Sequence, residues 1–168
     1  LRSLLNNMSY SDSLVIFEED IKQGLKNCED LEAVSRFGHP AGDVIYGEEK
    51  KIELLGYYKN TILPLFVLPS LVASCFNAYT KFNEKDLIET CLPLYKFLKR
   101  EFFLKWNDDE ARALLEKSIK TLVDLDFLVR NSENQELQNP EVLTSENSYL
   151  LILGNIIGPR LRQYCLFS

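Results

Sequence analysis

Apolar residues recur at spacings of three and four in several separate stretches, and strand-like alternation is scarce. The pattern predicts a mainly α chain with one short β excursion, without internal repeats or low-complexity sequence. Leu14, Phe17, Ile21 and Leu25 predict a short amphipathic helix over roughly 13–26, with acids toward its start. From Asn27 to Gly47 the periodicity weakens. Gly38, Pro40, Gly42 and Gly47 punctuate a stretch that reads as loop plus a short turn or strand, and as the linker. Glu48 and Glu49 then open a second helix, which runs through Ile52, Leu55, Tyr58 and Ile62 into an uncharged run, where Pro64 and Pro69 are expected to kink or break it.

Asn83, followed by Glu84 and Asp86, predicts the N-cap of a third helix that buries Leu87, Ile88, Cys91, Leu94, Tyr95, Leu98 and Phe102, with an irregularity at Pro93. The clearest start signal is Asn107 with Glu110 three residues on. Ala111, Leu114, Leu115, Ile119, Leu122 and Val123 form the stripe of that fourth helix. Phe127, Leu128 and Val129 read as a strand, 130–136 as a polar hairpin tip, and the residues around Leu137 as the return strand. Two helices followed by a hairpin suggest a winged helix. A last helix from about Ser145 carries Tyr149, Leu150, Ile152, Leu153, Ile156 and Ile157, with Gly154 and Pro159 as weak points, and its apolar faces require partners. The expected organisation is an N-terminal helix and linker over 1–46 and a helical domain over 47–168.

Composition narrows the function more than the fold. A chain of 168 residues, 46% hydrophobic and 26% charged, holds one real core. A net charge of −6 disfavours nucleic acid, because phosphate affinity grows with Lys and Arg contacts. As a winged helix, the chain would present Asp108, Asp109 and Glu110 at the groove and Glu133 and Glu136 on the wing, against Arg130 alone. The four cysteines, at 28, 75, 91 and 165, form no CxxC pair, and His39 is the one histidine, so reduced thiols in a cytoplasmic setting are expected and a zinc set is not. The uncharged run Asn60–Thr80 has the length of a bilayer crossing. Its Pro64, Pro69, Ser70, Ser74, Asn77 and Thr80 suit a buried or interfacial helix better. No signal peptide is visible, and the start at Leu1 and the apolar final stretch read as cut ends.

Candidate chemistry is sparse. His39 and Asp43 pair an imidazole with a carboxylate, the combination a general base needs, yet three residues intervene where glycerolipid acyltransferases place four, and Val44 stands at the required position. Asp108, Asp109 and Glu110 imitate a metal set but are accounted for by helix capping and the helix dipole. Lys96, Lys99, Arg100 and Lys105 flank Tyr95, Phe97, Phe102, Phe103 and Trp106, a mixture suited to a membrane interface or acidic headgroups, and equally to a solvated face over core aromatics. No catalytic, cofactor-binding or metal residue is assigned.

Tyr57-Tyr58-Lys59-Asn60 followed by Leu68-Pro69-Ser70-Leu71, and then Leu94-Tyr95 with Leu98 through Trp106, resembles the region downstream of the catalytic domain in bacterial-type glycerol-3-phosphate acyltransferases. The recognisable stretch covers roughly 42–128, and Lys96 departs from the family's usual proline. The resemblance implies an enzyme that moves a fatty acyl group from acyl-CoA or acyl carrier protein to the 1-hydroxyl of glycerol 3-phosphate, giving lysophosphatidic acid, at the cytoplasmic face of the inner membrane. It implies no cofactor. It also implies that the histidine-aspartate catalytic motif lies in chain not present here, so that this part packs on the catalytic domain or seats it on the membrane, with 63–76 as the docking surface. The alternative is a free-standing helical or winged-helix interaction module.

Overall fold

The computed structural model describes residues 17–40 and 42–165. The chain divides into two compact units, Leu1–Ile62 and Leu63–Ser168.

In the first unit, helix α1 covers Glu18–Asp30. Its expected start at 13–16 lies outside the described residues. Phe17 offers no side-chain acceptor, but its backbone N–H donates to Asp20 Oδ2 at 2.8 Å, so an acid in the first turn satisfies the entry. The helix runs to Asp30 and closes with a paired cap: Ala33 N donates to the Cys28 carbonyl at 2.8 Å and Glu32 N to that of Glu29 at 2.9 Å. Glu32 takes the left-handed conformation, φ 52°, that such a cap requires.

Strands β1 (Val34–Phe37) and β2 (Val44–Gly47) follow as an antiparallel hairpin, with Val34 opposite Gly47 and Phe37 opposite Val44. The expected short strand is thus two paired ones. A 3₁₀ turn over Glu49–Lys51 leads into helix α2 (Ile52–Ala78).

Helix α2 corrects one expectation. Pro64 and Pro69 lie inside it, and it runs unbroken for 27 residues. Each proline removes a backbone donor and crowds the preceding turn, a cost of about 3 kcal/mol or more in an isolated helix. Leu63, Phe66, Val67, Leu71, Val72 and Phe76 are buried on the same segment. At roughly 1.5–3 kcal/mol for each large side chain withdrawn from water, their burial outweighs that cost.

The second unit is built around this half of α2. Helix α3 (Glu84–Phe102) contributes Leu87, Cys91, Tyr95 and Leu98 to its core, and helix α4 (Asp108–Asp124) contributes Ala111, Leu115, Ile119 and Leu122. Leu94 and Phe102, expected inside, are only partly covered. Both expected N-caps form: Asn83 Oδ1 accepts from Lys85 N at 3.0 Å, and Asn107 and Glu110 bond reciprocally at 2.8 and 2.9 Å. Pro93 lies within the continuous α3.

Three two-residue strands, β3 (Lys81–Phe82), β4 (Val129–Arg130) and β5 (Leu137–Gln138), form an antiparallel sheet in the order β3-β5-β4. The hairpin β4–β5 is the expected one, although Phe127 and Leu128 precede it. β3 was not anticipated. Helix, strand, two helices and a hairpin whose second strand pairs with the first strand is a winged-helix-like connectivity, within a mainly α protein.

Helix α5 (Ser145–Cys165) runs through both of its expected weak points. Leu150, Leu153 and Ile157 enter the core, whereas Tyr149 and Ile152 are exposed. Gly154 is what lets α5 approach α2: a Cβ built there would meet the Ala73 backbone at 3.0 Å and Asn77 Nδ2 at 2.7 Å.

Candidate functional site

The basic and aromatic residues of 95–106 come together where α3 ends. Tyr95 is fully buried and its hydroxyl donates to the Trp106 carbonyl at 2.8 Å, fastening the connection to the helix it leaves. Leu104 N donates to the Lys99 carbonyl at 3.1 Å, and Phe103 adopts φ 51° at the cap. A phenylalanine in the left-handed region costs about 1–2 kcal/mol relative to ordinary backbone. The cap drives Leu104 into the core and leaves the Phe103 ring 87% exposed.

Around that ring lies an open depression of about 1110 Å³, whose walls include Pro93, Lys96, Phe97, Arg100 and Phe103. Lys96 Nζ pairs with Asp108 at 3.0 Å, Arg160 with Glu101 at 3.7 Å, and Lys105 sits 5.8 Å from the Trp106 ring centroid. These are exposed pairs of small individual worth. The arrangement offers cationic groups and two exposed phenyl rings side by side, which can receive an anionic, partly apolar surface. It contains no pairing of nucleophile and base.

The other sequence candidates resolve differently. His39 stands in the β1–β2 connection, where its carbonyl accepts from Gly42 N at 2.9 Å. The Asp43 carboxylate accepts from Arg36 Nη1 at 3.0 Å, and Arg36 Nε donates to Glu29 at 2.8 Å. Those two carboxylates raise the Arg36 pKa, the hydrogen bond Arg36 donates to Glu29 most strongly. Glu110 is engaged in the Asn107 capping box, and Asp108 in the pair with Lys96. Among the described residues no group of three or more His, Cys, Asp or Glu side chains is placed to hold a metal ion. In strand β4 of the hairpin, Arg130 is paired with Glu84 at 2.6 Å.

Residues 63–76 are not a docking surface. Leu63, Phe66, Val67, Leu68, Leu71 and Phe76 are all buried in the second unit. Helix Glu49–Ala78 is long and apolar enough to cross a membrane by length and composition, but 61% of its apolar window is already buried within the protein. The apolar run that looked available in the sequence is core.

Two thiols meet in that core: Cys75 Sγ lies 3.8 Å from Cys91 Sγ. The hydrogen bond with Cys75 and the burial of the site push the Cys91 thiol up, which keeps it protonated. Their spacing in the sequence gave no sign of the encounter.

Comparison with known proteins places this architecture. Residues 1–168 match the family described as the glycerol-3-phosphate acyltransferase C-terminal region, and the chain belongs to it. It is 25% identical over 162 residues to the glycerol-3-phosphate acyltransferase of Pseudomonas aeruginosa (strain LESB58), which covers 96% of this chain and 19% of that protein. It is 30% identical over 122 residues to the enzyme of the same name from Xanthomonas axonopodis pv. citri, covering 73% of this chain and 14% of the relative. The chain therefore spans about a fifth of the length of the curated relatives it matches. No solved structure matches it significantly.

Proposed function

We propose that this chain is the noncatalytic C-terminal part of a longer enzyme that transfers a fatty acyl group from acyl-CoA or acyl carrier protein to the 1-hydroxyl of glycerol 3-phosphate, yielding lysophosphatidic acid for phospholipid synthesis at the cytoplasmic face of the inner membrane. One observation carries the reading: the family match runs over 1–168 while relatives named for this acyltransferase are about five times longer. The reaction needs a base to deprotonate the attacking hydroxyl, cations to hold the phosphate and donors for the tetrahedral oxyanion. The reading assigns all three to the acyltransferase portion upstream, where the family carries its histidine-aspartate motif. This part contributes support, and the basic, aromatic end of α3 supplies its contact with anionic headgroups.

The test compares acyl transfer to labelled glycerol 3-phosphate by this chain and by the full-length gene product. Activity is expected only in the longer protein. Transfer by the 168 residues alone would overturn the noncatalytic assignment, and an inactive full-length product would favour a free-standing interaction module.

A further inference from the structure

The two faces of the β1–β2 hairpin differ. Alternation along the strands puts Arg36 and Gly47 on one face. Arg36 reaches Glu29 of α1, and Gly47 lies so near α2 that a Cβ would meet Leu55 Cδ1 at 2.9 Å, so this face meets the helices of its own unit at those two positions, while Ile45 beside Arg36 stays 42% exposed. The other face carries Phe37, Val44 and Tyr46, with Phe37 and Val44 directly opposed, and Ser35 opposite Tyr46 donating to the Glu48 carboxylate at its edge. Phe37, Val44 and Tyr46 are 61%, 52% and 51% exposed. Among the described residues neither outer edge of the two-stranded sheet has a partner strand. A two-stranded hairpin is marginal alone, and an apolar face between two open edges is a template for further chain.

Charge and length select what covers it. Residues 17–62 hold ten Asp and Glu against six Lys and Arg, so an anionic bilayer would be repelled from this unit. The relatives carry some four-fifths of their length beyond the matched region. We propose that the Phe37, Val44 and Tyr46 face is the surface on which the acyltransferase portion of the same polypeptide docks, covering it with apolar side chains. The inference rests on the reading above, that this chain is one part of that longer enzyme, and it moves the docking surface from 63–76 to the hairpin.

In the full-length gene product, the photo-cross-linker p-benzoylphenylalanine is placed at Tyr46 and, in a second variant, at Phe37, both on the exposed face where the larger ring displaces no core. Irradiation is expected to give a product that migrates as a monomer, with cross-linked peptides from outside these 168 residues. Cross-links to a second copy, seen as a dimer band, to phospholipid, or none at both positions would overturn the proposal. Acyl transfer by the unsubstituted protein is measured alongside. Intramolecular cross-links in an inactive protein would sink the acyltransferase reading and leave the docking intact. An active protein without cross-links would sink the docking alone.

Discussion

Three helix ends turn on single residues that local sequence rules would not choose. Glu32, Phe103 and Asp126 all adopt positive φ where glycine is the usual occupant, because the chain just beyond them is drawn into packing: Ala33 and Leu104, one residue on, and Leu128, two residues on, are buried. Phe103→Gly should relieve the left-handed strain and lose little packing, so its denaturant midpoint is expected to rise by the equivalent of about 1 kcal/mol. A midpoint below that of the parent would show that the exposed ring is packed after all. The two glycines at 24 and 154 should separate cleanly. Gly24 has open space within α1, and Gly24→Ala is expected to stabilise by about 0.5–1 kcal/mol. Gly154→Ala forces a Cβ against the Ala73 backbone and should destabilise by about 1–3 kcal/mol in the same denaturation series. Cysteine reactivity divides likewise. Cys28 is partly exposed whereas Cys75 and Cys91 are buried, so brief native alkylation followed by mass spectrometry should label Cys28 well ahead of the other two.

Helices α3 and α4 were legible because their signals are local. A capping residue, acids in the first turn and a stripe at three- and four-residue spacing fall within a few residues of one another. Asn107→Ala should accordingly cost about 1 kcal/mol, read by chemical denaturation, since it removes the acceptor for Glu110 N. Pro64 and Pro69 do not break α2 because the decisive energy is not local: Leu63, Phe66, Val67, Leu68 and Leu71 around them are buried in the core of the second unit. The short strands were hard to read for a related reason. β3 is two residues long and exists through pairing with β5, more than fifty positions away. The strand expected over 127–129 begins only at Val129, because Asp126 N and Phe127 N still close the end of α4.

At the scale of the whole molecule, the candidate contact surfaces changed places. The uncharged run, most conspicuous in the sequence, became the core of the second unit. The end of α3, where Lys99 and Arg100 flank the exposed rings of Phe97 and Phe103, is the surface that the proposed function assigns to anionic headgroups. Lys99→Glu combined with Arg100→Glu in the full-length protein should weaken sedimentation with anionic vesicles at least about tenfold, an effect that fades as salt rises, because each basic residue near such a surface is worth about 1 kcal/mol. Unchanged sedimentation would remove this patch from any membrane role. By itself, the sequence determined the helical class, the two capping signals, the β4–β5 hairpin and the family, since each is written in neighbouring residues or in ordered blocks along the chain. The tertiary structure alone decided which apolar residues are covered, that two prolines persist in one helix, that Cys75 meets Cys91, and that one face of the β1–β2 hairpin stays open. Those outcomes depend on burial energies summed over segments far apart in the chain, which no local pattern of hydrophobic and polar positions records.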